Sequence, residues 1–279
     1  MTPSVILLGS KPAAAVALSI LLERGWDVRH VVVARNFDLS WYGGESVEER
    51  ALAAGVPVVE QDELPRTETA DLVISYQFRN LVKPDVLGLA RRAALNFHAA
   101  PLPEFGGFAY YNVAILEGVE TYGCSCHHMD EGFDTGPLLR VREFPVDIRR
   151  ETAYSLERRA QEEMLRLFVD VCRLVEAGGP LPSTEQDPAR KRYLNRDGLV
   201  GMKTIPAVAD AETVDRYARA FWYPPYECAR TTVNGTPVDV VPEVARAELG
   251  PIMHAHDLDR LERAVAGYRV DPVPGSKSG

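Results

Sequence analysis

Short, wholly apolar runs alternate with longer helix-forming stretches through the first third of the chain. This rhythm constrains the fold more than any other feature. Val5-Ile6-Leu7-Leu8 is apolar on both faces and ends at Gly9-Ser10, as a buried parallel strand does. Residues 12–24 are rich in Ala and Leu and stop at Gly25, a helix terminator. Val28–Ala34 reads as the next strand, Ser46–Ala54 as a helix closed by Gly55, and Val56–Val59 and Ala70–Ser75 as two more strands. A helix is predicted over 84–92 and a strand over Ala93–His98. Repeated β-α-β units imply an α/β fold with a mostly parallel sheet and helices on both faces. Ligands of such sheets sit at the carboxyl ends of the strands.

Further along the texture changes. Tyr122–Met129 has strand character. Leu156, Ala160, Met164, Leu167, Val171 and Leu174 recur at helical spacing within Thr152–Ala177, and Gly178-Gly179-Pro180 ends that helix. Residues 180–200 are polar and rich in Pro, Asp and Arg, which suits a linker or an ordered surface loop. Thr213–Ala220 reads as a short helix. Cys228–Val233 and Val238–Val241 flank Asn234-Gly235 as a β-hairpin. The expected organisation is a main domain over 1–180, a linker or surface loop over 181–200, a small hairpin-containing region over 201–269 and a disordered tail over 270–279.

Composition removes several function classes. In a chain of 279 residues, 46% are hydrophobic and 25% charged, which is ordinary for a packed protein and not for a disordered one. The apolar runs are too short to span a bilayer, so no membrane partner is expected. Met1-Thr2-Pro3-Ser4 leads into an apolar run with no basic segment, which argues against a secretory signal. The four cysteines suit a reducing cytoplasm. A net charge of −9 disfavours nucleic acid as a partner.

The stretch from Asn96 to Pro137 carries the candidate chemistry. On a strand, Asn96 and His98 share a face, and Pro101 and Pro103 force the chain out of the sheet just beyond. An amide and an imidazole then stand at a strand's carboxyl end. Asp134, between Gly132 and Gly136, adds a carboxylate from a loop. Taken singly, these are a polar strand end and a turn aspartate; taken together they form a constellation. Two other patterns are decoys. Cys124, Cys126 and His128 alternate on one strand and splay too far apart for zinc, and His254-x-His256 has no third ligand. Gly9-Ser10-Lys11 lacks the spacing of a phosphate-binding loop.

Asn96-Phe97-His98, then Leu102-Pro103, then Asp134-Thr135-Gly136 resembles the formyltransferases that use N10-formyltetrahydrofolate. The motif lies within 75–145 and the likeness in fold within 1–180. The segments Asn96–Phe108, Tyr111–Leu116, Thr152–Leu156 and Phe221–Tyr226 look most like the sugar-nucleotide N-formyltransferases. Ala99 departs from the pattern, which often has Pro there, and residues after 242 match nothing in it. The resemblance implies a Rossmann-like catalytic domain. It gives Asn96 and His98 to the formyl group and its oxyanion, and His98 and Asp134 to the proton, leaving open which of the two is the formal base. It places the folate donor between Phe78, Arg79 and Leu81 on one side and Asp130 to Asp134 on the other, with Gly9-Ser10-Lys11 as a wall. For the acceptor it points to a dTDP-linked amino sugar, with Trp222, Tyr223 and Tyr226 as flat surfaces for a nucleobase. Tyr110, Tyr111 and Asn112 lie near sugar or phosphate, and the basic run Arg190, Lys191, Arg192 and Arg196 is either a diphosphate site or a solvated loop. The alternative for Trp222, Tyr223 and Tyr226 is a small core of the C-terminal piece, and Tyr111 reads equally as core. A hydroxyornithine-type amine, methionyl-tRNA and a non-catalytic nucleotide-binding module are the rival readings. The hairpin and tail offer edges for a homodimer.

Overall fold

The computed structural model describes residues 2–35, 44–108 and 110–245. The His254-x-His256 pair, the tail 270–279 and the side chain of Arg196 lie outside the described residues. The chain divides into two units, 1–240 and 241–279. The first contains all the elements named below, and the second is described only over 241–245.

The β-α alternation forms the expected sheet. Strands β1 (Ser4–Gly9), β2 (Asp27–Val33), β3 (Val58–Glu60), β4 (Ala70–Tyr76) and β5 (Ala90–His98) run parallel. Past β6 (Gly106–Gly107), strands β7 (Thr121–His128) and β8 (Leu138–Pro145) add antiparallel, giving the order β3-β2-β1-β4-β5-β7-β8 among the described residues. Alternating side chains of β1 serve two apolar layers. Val5 and Leu7 face a large core that includes residues of α1 (Pro12–Glu23), α2 (Val47–Ala53) and α5 (Ala153–Glu176). Ile6 and Leu8 face a smaller cluster with Leu64, Val82, Val86 and Leu89.

Helix α5 begins where the sequence provides both halves of a cap. The Thr152 side chain accepts from the Ser155 N–H, and the Ser155 side chain accepts from the Thr152 N–H. Its apolar stripe lies on the sheet, where Phe168 meets Phe97 at 5.0 Å and Tyr76 at 5.5 Å between ring centres. Phe97 is thus anchored from behind, and Asn96 and His98 are turned to the other side of the strand.

One expectation needs correction, one strand was not foreseen, and one open alternative resolves. The helix predicted over 84–92 shrinks to α3 (Pro84–Leu87), because Ala90–Arg92 are drawn into β5 by pairing with β4. Strand β8 went unread because its outward residues are Arg140, Arg142 and Glu143, while Leu139 and Phe144 are buried. Residues 180–200 are an ordered segment. Thr184 bridges to Leu138, β9 (Tyr193–Leu194) pairs with β6, and α6 (Arg196–Met202) follows. Beyond α4 (Tyr110–Glu117) and α7 (Ala211–Ala220), β10 (Ala229–Val233) and β11 (Thr236–Val240) form the hairpin around Asn234-Gly235. No helix among the described residues is long and apolar enough to cross a membrane.

Candidate functional site

Parallel pairing aligns the carboxyl ends of the central strands. Gly9 lies beside Tyr76 and Tyr76 beside Phe97, so Ser10, Gln77 and His98 leave the sheet at one edge. On the other side of β5, antiparallel pairing sets Asn96 opposite His127 and His98 opposite Ser125. Directly opposed side chains share a face. Asn96 and His127 therefore meet, with 3.0 Å between Asn96 Nδ2 and His127 Nε2. His127 Nδ1 lies 2.8 Å from the His128 carbonyl, which can only accept. In the neutral ring Nδ1 carries the proton, and Nε2 accepts from the Asn96 amide.

His98 is fixed in the same way. Its Nε2 donates to the Phe105 carbonyl at 2.8 Å, and its ring stands edge-on to Tyr110 with 4.8 Å between centres. Nδ1 is left facing Asp134 Oδ1 at 3.6 Å. A proton taken up by this ring lands on Nδ1, next to a carboxylate.

Asp134 adopts a left-handed backbone, φ 55°, which Asp tolerates better than most residues. Its Oδ2 accepts the Gly107 N–H at 2.9 Å. Its Oδ1 lies 3.5 Å from Asn96 Nδ2 and 3.6 Å from both His98 Nδ1 and His127 Nε2. The side chain is 10% exposed. Burial alone would raise its pKa. The positive charge that the His98 or His127 ring carries once protonated, together with the hydrogen bond from the Gly107 N–H, outweighs burial and holds the carboxyl well below the usual range. The carboxylate is thus a fixed negative charge between two imidazoles.

The structure brings Asn96, His98 and Asp134 together and adds His127, which the sequence reading did not single out. The remaining candidates separate. Phe78 and Met129 pack on the same apolar cluster, so the 78–81 segment and the 130–136 loop border one face. Leu81 is exposed, with its carbonyl accepting from Gln61, and Arg79 is half-buried. Asp130 is turned inward to its own loop, where Oδ1 accepts from the Gly132 N–H at 3.0 Å and from the Thr135 hydroxyl.

On the acceptor side, Tyr110 reaches His98, whereas Tyr111 is buried in the core. The Asn112 amide donates to the Ala220 carbonyl at 2.7 Å and ties α4 to α7. Trp222 departs from its expected place as an open stacking surface. It is 5% exposed, because the turn after α7 folds onto α5, where the Trp222 carbonyl accepts from Tyr154. Tyr223 donates its hydroxyl to Glu157, and Tyr226 is exposed beside it. Glu157 also holds Lys11. Of the basic run, Arg190 pairs with Glu104 and Arg192 with Glu117 at 2.6 Å, so both guanidinium groups are engaged within the chain.

One feature escaped sequence reading for want of a local signal. Gln161 donates to Gln77 Oε1 at 2.6 Å, and Ser10 Oγ, Gln77 Nε2 and Gln161 Oε1 are buried without partners at the same strand edge. Cys124 and Cys126 are buried in the core under α5, where desolvation pushes the Cys124 thiol up to about 12. Among the described residues no three His, Cys, Asp or Glu side chains gather as a metal site.

Comparison with known proteins gives one family. The formyl transferase family model matches residues 42–172. A methionyl-tRNA formyltransferase from Anaeromyxobacter dehalogenans is 30% identical over 254 residues, 85% of this chain and 78% of that one. A GDP-perosamine N-formyltransferase from Brucella melitensis is 30% identical over 166 residues, 59% of this chain; the match spans 62% of that relative's length, less than two thirds. Among solved structures, the N-formyltransferase from Helicobacter canadensis in complex with folinic acid and dTDP-3-aminofucose superposes with a TM-score of 0.68 at 19% identity, over 84% of this chain and 85% of that one. At that identity the superposition speaks for the fold.

Proposed function

Because the chain belongs to the formyltransferase family, we propose that it moves the formyl group of N10-formyltetrahydrofolate to the amine of a nucleotide-linked amino sugar, of the dTDP type. The observation that carries this reading is the convergence of Asn96, His98 and His127 on Asp134 Oδ1 within 3.5–3.6 Å. The amine lone pair attacks the formyl carbon and its carbonyl oxygen becomes an oxyanion. The Asn96 N–H that lies long against Asp134 Oδ1, at 3.5 Å, is read as the one that turns to that oxygen, and a donor in such a role contributes about 10²–10³ in rate. The proton shed by the amine goes to His98 Nδ1, where Asp134 stabilises the imidazolium. Collapse of the tetrahedral adduct breaks the bond to N10, which takes the proton as tetrahydrofolate leaves. No covalent enzyme intermediate is needed, and holding donor and acceptor side by side supplies much of the acceleration.

The donor is read into the face bordered by Phe78, Arg79, Leu81 and the Asp130–Asp134 loop. The acceptor is read along the edge lined by Tyr110 and by Ser10, Gln77 and Gln161; the buried unpaired polar atoms of the last three suit a polyhydroxylated ligand better than an apolar one. Three of the four cysteines, Cys124, Cys126 and Cys172, are buried as core side chains and not arranged as a disulfide framework, which fits a cytoplasmic setting.

Incubation with N10-formyltetrahydrofolate and a panel of dTDP- and UDP-linked amino sugars, followed by mass spectrometry, is expected to show one added formyl unit on a dTDP sugar. No product across the panel rejects the sugar acceptor. The second reading, a methionyl-tRNA acceptor, is favoured by the 30% identity over 254 residues to an enzyme of that name, and initiator methionyl-tRNA is the parallel substrate in the same assay.

A further inference from the structure

One segment touches both loops that meet at Asp134, and we propose that Thr184–Leu194 is a clasp in which Gln186 is a positioning residue for the Asp134 carboxylate. The proposal rests on the reading of Asp134 given above.

The attachments are regularly spaced along the segment. Just ahead of it the His128 ring donates to the Pro182 carbonyl at 2.9 Å. Thr184 exchanges two backbone hydrogen bonds with Leu138, at 2.7 and 2.9 Å. These contacts secure the strands on either side of the Asp134 loop. Farther on, Arg190 pairs with Glu104, and the Arg192 N–H donates to the Pro103 carbonyl at 3.0 Å. Gly106 N–H then donates to the Arg192 carbonyl at 3.2 Å, and Phe108 N–H to the Leu194 carbonyl at 2.7 Å. These contacts hold the Gly106–Phe108 loop, whose Gly107 N–H binds Asp134 Oδ2.

Gln186 stands between the two sets. Its Nε2 donates to the Asp134 carbonyl at 2.9 Å and to the Gly136 carbonyl at 2.7 Å. An amide nitrogen has two N–H groups, and both are used. The reverse orientation would set Oε1 against two carbonyl oxygens, so the amide is held one way. One of the two bonds falls on the carbonyl of Asp134 itself, a residue in the left-handed region, where non-glycine backbone is costly and persists when its surroundings fix it. The Gly106–Phe108 loop fits the clasp closely. A Cβ on Gly107 would come within 2.4 Å of the Leu194 carbonyl oxygen, and one on Gly106 within 2.9 Å of the Arg192 carbonyl oxygen. The clasp therefore acts on the carboxylate from both ends: Gln186 sets the backbone from which the side chain leaves, and β9 sets the N–H that receives it.

Amide exchange and kinetics on the full chain test this together. In Gln186→Ala and Gln186→Glu, the Gly107 amide is expected to exchange at least about tenfold faster, with the amides of β1 and β4 unchanged. With the donor and the best acceptor of the panel, kcat should fall about 10- to 100-fold and KM for the folate stay within about threefold. Gln186→Glu carries a further signature. Its carboxylate faces two carbonyls, but protonation supplies one O–H donor, so its deficit against wild type should narrow as pH falls from 8 to 5, while that of Gln186→Ala stays flat. Gly107 exchange unchanged in both variants overturns the proposal, and so does quickened exchange with unchanged kcat. If exchange quickens in the variants but wild type turns over no acceptor, the clasp stands and the proposed reaction falls.

Discussion

At the residue scale, the site is organised around one carboxylate. Its pKa is depressed in the folded chain, so Asp134 favours folding above the unfolded value of about 4, and that contribution is lost as pH falls below it. Across any ordinary assay range it remains ionised. Asp134→Asn should therefore lower kcat by about 10²–10⁴ at pH 8, where the carboxylate is fully ionised. Steady-state rates of the two proteins make the check. A loss of less than about threefold would overturn its role as a fixed charge. Asn96 and His98 were legible as a pair because they sit two apart at the end of one strand, and Asp134 joined them only through the motif that resembles the formyltransferases. His127 and Gln186 were not legible. They reach the site through strand register and a return segment, and neither leaves a periodic trace in the chain.

At the scale of elements, legibility followed the strength of the local pattern. Helix α5 could be read to within a residue at each end, because an apolar stripe, a capping threonine and a terminal Gly-Gly-Pro all agree. Strand β5 was half misread. Ala90-Arg91-Arg92 are helix formers, and pairing with β4 overrides their preference. The 180–200 segment has polar linker composition, yet its order comes from contacts with loops about 50 to 85 residues away in sequence. The element that matters most to the site is α5, through Phe168. That ring is fully buried against Tyr76 and Phe97, the residue between Asn96 and His98. Phe168→Ala should cost about 3–5 kcal/mol in denaturant unfolding. Phe168→Leu should cost clearly less and keep more of the activity. Equal losses for the two would mean that the cavity is not what loosens the strand.

At the scale of the whole molecule, the question is which acceptor the surface admits. The chain carries 40 acidic against 31 basic residues. Many of the cations are already committed: Arg142 to Glu163 and Asp170, Arg190 to Glu104, Arg192 to Glu117 and Arg219 to Asp215. A tRNA acceptor requires a surface that neutralises several phosphates at once, and each neutralised phosphate adds to the salt dependence. Six to ten such contacts would weaken binding by about 10³–10⁵ between 50 and 200 mM salt. A nucleotide-linked sugar brings a diphosphate and no condensed counterion layer, so its salt response is set by ordinary screening. KM for the sugar acceptor is therefore expected to rise by less than about tenfold over that range. Labelled initiator tRNA should show no saturable anisotropy change at 150 mM salt. Saturable tRNA binding with a steep salt slope would show that a local basic surface outweighs the overall charge, and would move the acceptor assignment to the second reading. Binding of both, with competition between them, would place the two acceptors at one site and leave the formyl chemistry at Asp134 unaltered.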